Sequence, residues 1–206
     1  MWTPEANVPE PVQKKLAALE KLGPNAPSGA YMVAFLEIVS KLKHTERTGW
    51  VDRDVPKPES IGDHMYRMAI ICFMTQQENL NVAKCQQIAL CHDMAEALVG
   101  DITPYDKTCD KEEKHRRELT TMQYLRDLIS KFNPRAGQQI YDLWCEYEFQ
   151  TTDEAKFVKD VDKLEMICQC AEYMREYPHA EISDILNATS RIKTDEVKEW
   201  AGEAAK

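Results

Sequence analysis

Glycine is scarce, with seven in 206 residues. A fold built from tight β-turns needs more, because backbone turns with positive φ fall mostly to glycine. Cysteine is odd in number: Cys72, Cys85, Cys91, Cys109, Cys145, Cys168 and Cys170, with no Cys-x-x-Cys pair. Most of them lie inside apolar helical patterns, where a thiol behaves as a small hydrophobe. This usage argues against a disulfide framework or a structural zinc site and points to a reducing compartment. No apolar run approaches the ~20 residues that a membrane-spanning helix needs. The first residues show no basic stretch followed by an apolar one, so no secretory signal is read there. Positive charge is short as well: 26 Lys and Arg stand against 35 Asp and Glu, a net charge of −9. Nucleic acid polymers demand a basic surface, which this balance does not offer. A small anion is still admissible if metal ions or a few placed cations offset local repulsion. The expected location is the cytosol, with the nucleus open by diffusion.

What is present is helical periodicity. Residues 1–28 hold Pro4, Pro9, Pro11, Pro24 and Pro27 and read as a flexible extension with a short helix at Val12–Leu22. Tyr31–Leu42 has a wide apolar face at helical spacing. The polar loop Lys43–Pro58 carries Arg47 and Trp50. Glu59–Leu80 reads as a helix opened by Ser60 with Asp63 three residues on, a capping-box pattern. Asn81 caps a helix expected to run unbroken over Val82–Val99, with Gly100 just past its end. Further helices are expected at Asp110–Phe132, Arg135–Phe149, Asp153–Tyr177 (capped by Thr151 or Thr152), Ser183–Ser190 and Asp195–Ala205. No alternating strand pattern and no internal repeat appears. The fold class expected is all-α, one globular bundle of roughly seven helices, with residues 29–206 as its domain.

The chemistry concentrates in Ala89-Leu-Cys-His-Asp-Met-Ala-Glu-Ala-Leu-Val-Gly-Asp101. On a continuous helix Glu96 lies four residues after His92 and three after Asp93, so the three approach one face. Nitrogen and carboxylate donors without cysteine suit manganese, cobalt, iron or magnesium as readily as zinc. Two ligands do not hold a metal tightly. His64, near the start of its helix, and Asp162, on an otherwise apolar helix face, are the candidates for completing the set. Asp160 turns toward a different face. A His-Asp dipeptide alone is weak and is more often a capped or solvated pair.

His64, then His92-Asp93, then Asp162 reproduce the H…HD…D pattern, and the neighbouring words agree in order. These include Arg47-Thr-Gly-Trp-Val51, Pro58-Glu-Ser-Ile-Gly-Asp-His-Met-Tyr-Arg67, Val99-Gly-Asp-Ile-Thr-Pro104, Lys111-Glu-Glu-Lys-His-Arg-Arg-Glu118 and Glu154-Ala-Lys-Phe-Val-Lys159. Over about residues 30–180 the chain resembles the HD-domain metal-dependent phosphohydrolases, in their 5′-deoxynucleotidase branch. The resemblance implies that His64, His92, Asp93 and Asp162 hold a first divalent cation. It implies a second cation near Glu96 and Asp101, with the backbone carbonyl of Ile102 as a further ligand. Glu96 becomes the candidate for positioning or deprotonating the attacking water. Arg47 becomes the phosphate contact, with Lys114 as a further substrate contact. Trp50 becomes the aromatic that crowds the sugar 2′ position. Mn²⁺, Co²⁺ or Mg²⁺ is the implied cofactor, with Fe²⁺ or Zn²⁺ as further options.

The implied reaction is hydrolysis of a deoxyribonucleoside 5′-monophosphate by metal-activated water, giving a deoxynucleoside and phosphate. Plainer roles stand beside these. Trp50 is equally a packing anchor, Asp101 a turn residue, and Lys114 part of a solvated helix face. Competing functions are an HD phosphohydrolase acting on a cyclic nucleotide, a deoxynucleoside triphosphate or an alarmone, and a helical interaction module with a vestigial site. A C₂ homodimer is expected, with the helices around Trp144 and Tyr147 as one candidate surface.

Overall fold

Polar side chains set the starts of the helices that carry the site and its supports. The computed structural model describes residues 1–103 and 106–206; Pro104 and Tyr105, in the loop expected after Gly100, lie outside the described residues. In chain order the α-helices are α1 (Pro4–Asn7), α2 (Glu10–Leu22), α3 (Ser28–Val39), α4 (Thr48–Val51), α5 (Ile61–Ile71), α6 (Val82–Ala89), α7 (Glu96–Val99), α8 (Lys111–Ser130), α9 (Pro134–Phe149), α10 (Asp153–Glu176) and α11 (Asp195–Ala204). Short 3₁₀ segments follow α2, α3 and α5, and a longer one covers Ser183–Arg191. No strand occurs among the described residues; one antiparallel bridge pairs Glu46 with Ser60. The fold is all-α, as the periodicity implies.

The caps explain the registers. Ser60 Oγ accepts from the Asp63 N–H while the Asp63 carboxylate accepts from the Ser60 N–H, a complete capping box. Asn81 caps α6, Asp110 caps α8 and Thr152 caps α10, each accepting from the N–H three residues on. Gly100 closes α7 at φ +81°, a conformation that costs other residues a steric clash. Two expected helices, Glu59–Leu80 and Val82–Val99, are shorter than their patterns. The Glu59–Leu80 helix ends at Ile71 and tightens into a 3₁₀ turn at Cys72–Met74. The expected loop Lys43–Pro58 contains the short helix α4.

The helices gather into two compact units, each drawn from two stretches of chain: Met1–Thr45 with Asp93–Trp144, and Glu46–His92 with Cys145–Lys206. In the first unit α3 packs on α2, α7 and α8. The segment expected as an extension forms α1 and α2, and Val8, Val12 and Leu19 are buried there. Trp2 lies under the Arg117 guanidinium at 5.6 Å. Gly137 sits against α8: a Cβ there would meet Ser130 Oγ at 2.3 Å and the Arg126 carbonyl oxygen at 2.7 Å.

In the second unit α10 is central and packs on α5, α6, α11 and the 183–191 segment. Its buried residues, among them Phe157, Val161, Leu164 and Tyr173, therefore lie on several sides rather than one stripe. Asp160, buried on α10, reaches the start of α11. It accepts from the N–H groups of Lys193 and Thr194 and from Thr194 Oγ1, and it pairs with Lys163 Nζ at 2.8 Å. That is the different face the sequence assigns it. Trp144 and Tyr147, read as a candidate partner surface, are both buried.

Two stability predictions follow from these contacts. Burial alone would push the Asp160 carboxyl up, but Lys163 and the donors of Thr194 and Lys193 outweigh it and hold its pKa below the ordinary value. A depressed pKa contributes stability above the unfolded carboxylate pKa of about 4, which is lost as pH falls through the folded value. Asp160→Asn should therefore cost about 2 kcal/mol at pH 7, with the gap to wild type narrowing below about pH 4 in urea melts. Gly137→Ala should lower stability by roughly 1–3 kcal/mol, since the backbone oxygen it meets cannot rotate away; thermal denaturation reads this directly.

Candidate metal and phosphate site

The expected unbroken helix over Val82–Val99 does not form. After Ala89 the backbone tightens to three-residue bonds, Cys91 N–H to Ile88 O and Glu96 N–H to Asp93 O, before α7 begins. His92 and Asp93 thus sit in a turn, and the one-face argument for His92, Asp93 and Glu96 fails. No glycine or proline signals the break. One local cause is the His92 ring itself: its Nδ1 bonds the Ala89 carbonyl at 2.9 Å, the acceptor an unbroken helix would offer to the Asp93 N–H.

In the second unit His64, on the first turn of α5, is fully buried. Its Nε2 lies 3.4 Å from Asp162 Oδ1 on α10. Its Nδ1 meets Glu165 Oε2 at 2.5 Å. Arg67, one turn further along α5, donates from Nε to Glu165 Oε1 at 2.7 Å and reaches Glu172 and Gln169. The His64 and His92 ring centroids are 5.5 Å apart. Tyr147 lies 4.8 Å from the His92 ring, and its hydroxyl donates to Asp162 Oδ2 at 2.6 Å while accepting from Lys159 Nζ at 2.9 Å.

The electrostatics follow from these neighbours. Burial and Arg47 oppose charge on His64, but Asp162 and Glu165 outweigh them and raise its pKa to about 9. Burial would raise Asp162; Lys159, His64 and His92 together hold it well below the usual carboxylate range. Glu165 is likewise kept low against its burial by His64 and Arg67.

This donor set fits a divalent cation. Both imidazoles engage Nδ1, one with a carboxylate and one with a backbone carbonyl, which fixes the ring orientation and leaves Nε2 as the atom each would present to a cation, His64 giving up its extra proton as the cation binds. Asp162 supplies a carboxylate opposite His64 Nε2. Asp93 follows His92 in the chain and opens the first unit's second stretch.

The first unit places the remaining acids around one cation. Glu96, the first residue of α7, is buried. Lys114 Nζ donates to the Ile102 carbonyl at 2.8 Å and lies 3.5 Å from Glu118 Oε1 and 3.9 Å from Glu96 Oε1. Burial opposes charge on Lys114, but Glu118, Glu96, Asp93 and Asp101 outweigh it and raise its pKa. Lys114 is partly exposed and still reaches these acids, and the Ile102 carbonyl, read as a metal ligand, accepts from it here.

Arg47 and Trp50 bracket α4 in the second unit. Trp50 is 2% exposed and packs with Val55, Cys170, Tyr173 and Ile182, its ring edge-on to Tyr173 at 5.2 Å. Trp50 is thus part of a buried apolar cluster. Sequence reasoning missed Glu59, Arg67, Tyr147 and Glu165. The legible signal was spacing: Arg67 follows His64, and Glu165 follows Asp162, by three residues, so each charged pair occupies one face of its helix.

Comparison with known proteins identifies the family. The HD domain family matches residues 39–202. The chain is 47% identical over 204 residues to 5′-deoxynucleotidase YBR242W of Saccharomyces cerevisiae, covering 98% of this chain and 82% of that protein. It is 50% identical over 146 residues to 5′-deoxynucleotidase HDDC2 of Mus musculus, covering 71% of each. The solved structure of HD domain-containing protein YGK1 (YGL101W) superposes with a TM-score of 0.73 at 40% identity, covering 98% of this chain and 94% of that one. With a family match across most of its length and relatives at this identity, the chain belongs to the HD domain family.

Proposed function

We propose that the chain is a metal-dependent 5′-deoxynucleotidase that hydrolyses deoxyribonucleoside 5′-monophosphates to deoxyribonucleosides and phosphate. The observation that carries this reading is the pair of histidines whose Nδ1 atoms are bonded away, with His64 Nε2 set 3.4 Å from Asp162 Oδ1. The relatives named as 5′-deoxynucleotidases support the substrate class. In this reading His64, His92, Asp93 and Asp162 hold a first divalent cation, and Glu96, Asp101 and the Ile102 carbonyl a second. Manganese, cobalt or magnesium suits these mixed nitrogen and oxygen donors. A bound divalent cation supplies Lewis-acid charge and a water of lowered pKa.

The protein's own groups do the rest. Glu96 positions the attacking water and accepts its proton as general base. Arg47 presents a planar fork to the phosphate. Lys114 offers a second positive charge to the phosphoryl oxygens as negative charge develops there. Trp50, being buried, acts through the groups it anchors. A homodimer in the cytosol is part of the same reading, and sedimentation of the purified chain tests its mass.

Phosphate release from deoxy- and ribonucleoside monophosphates, each with Mn²⁺, Co²⁺, Mg²⁺ and Zn²⁺, tests the assignment. Deoxy substrates should turn over faster than ribo, and Asp93→Ala should abolish turnover. An Asp93→Ala variant with full activity refutes the mechanism. Glu165→Gln should weaken metal affinity by about 10- to 100-fold in calorimetric titration, because His64 loses the carboxylate that orients it.

A further inference from the structure

Arg47 and Trp50 converge on one acid. Trp50 Nε1 donates to Glu59 Oε1 at 3.0 Å, and Arg47 Nε lies 4.0 Å from that same oxygen. The backbone repeats the connection. The Arg47 N–H donates to the Glu59 carbonyl at 3.0 Å, and Glu46 bridges to Ser60. The Glu59 N–H donates to the Tyr173 hydroxyl at 2.7 Å, which in turn donates to the Lys57 carbonyl at 3.2 Å. Tyr173 also packs edge-on against Trp50. Ser60, the next residue, caps the helix that carries His64.

Glu59 is therefore held by the loop before it, by α5 after it and by α10 beside it. Its side chain is 7% exposed. One of its carboxylate oxygens lies within 4.8 Å of ligand atoms of His64 and Glu165. Charges alternate along this line: Arg47, Glu59, His64, Glu165, Arg67. A carboxylate buried this far is costly unless its neighbours meet it. The indole N–H needs only an oxygen, which a neutral amide supplies. The feature that an amide does not supply is attraction for Arg47.

We propose that Glu59 is the positioning residue that aims Arg47 at the substrate phosphate, with Trp50 and Tyr173 as its anchors. This rests on the deoxynucleotidase reading for the identity of the substrate, but not for the anion that Arg47 meets. Its consequence is that the arginine keeps a set direction relative to His64 before any phosphate arrives. Misplacing such a group by about 1 Å is enough to cost on the order of a hundredfold.

The test is Glu59→Gln, which retains an oxygen for Trp50 and removes the charge facing Arg47. Mn²⁺ stoichiometry and the circular dichroism melt should match wild type. Affinity of the Mn²⁺-loaded protein for inorganic phosphate, read by calorimetry, should fall roughly ten- to a hundredfold. KM for a deoxynucleoside monophosphate should rise by a similar factor, with kcat changing far less. Added to Arg47→Ala, Glu59→Gln should change phosphate affinity by less than about twofold, since both act through one group. Wild-type phosphate affinity in Glu59→Gln overturns the proposal, as does a full additional loss in the double variant. If Glu59→Gln does not fold, Glu59→Asp carries the same test, because it withdraws the charge by one methylene; unchanged phosphate affinity there overturns the proposal too. Should wild type release no phosphate from deoxynucleotides while its phosphate affinity depends on Glu59, the substrate reading fails and the positioning role stands.

Discussion

Glu165 has no exposed surface, and a carboxylate so placed must be neutralised by its neighbours. Two residues of α5 do this. His64 Nδ1 takes one oxygen and Arg67 Nε the other. Both lie on the same face of α5, one turn apart, and they meet Asp162 and Glu165, which are one turn apart on α10. Sliding either helix by a residue would strand a buried charge, at a cost of several kcal/mol. The register of α5 against α10 is thus set by charge as much as by the apolar contacts around it. The orientation of His64 is a by-product of that register.

The same logic recurs wherever an acid is buried. Two further acids near the histidines are each met by an aromatic donor: Tyr147 at Asp162 and Trp50 at Glu59. Aromatic side chains suit this work because one end packs while the other hydrogen-bonds. Tyr147 covers His92 with its ring and holds Asp162 with its hydroxyl. In the first unit a single ammonium serves several acids at once: Lys114 stands among Glu96, Glu118, Asp93 and Asp101. Within each unit the buried charges therefore form networks, which resist rearrangement more than isolated pairs do.

Helix boundaries were legible where a side chain makes the boundary. The Ser60–Asp63 box, Asn81, Asp110 and Thr152 each appear in the sequence as a short polar residue before an apolar pattern, and each caps as that pattern implies. The break between α6 and α7 was not legible. It involves a ring-to-carbonyl bond from His92, and a histidine in an apolar run carries no punctuation signal. The early end of α5 was likewise hidden, because apolar residues continue through Phe73 and Met74, both exposed here. Trp50 could be read two ways from the chain, and burial settled its surroundings.

The sequence by itself determined the helical class and the caps, because these depend on residue type and on spacings of three or four along the chain. It marked His64, His92, Asp93 and Asp162 by chemistry and resemblance. Only the tertiary structure decided that Glu165 and Arg67 orient His64, that Lys114 stands among several acids, and that Glu59 gathers Arg47 and Trp50. Those relations join residues roughly 10 to more than 100 positions apart. A local pattern reports which groups share a helix face; it holds no information on which distant charge will be buried against them.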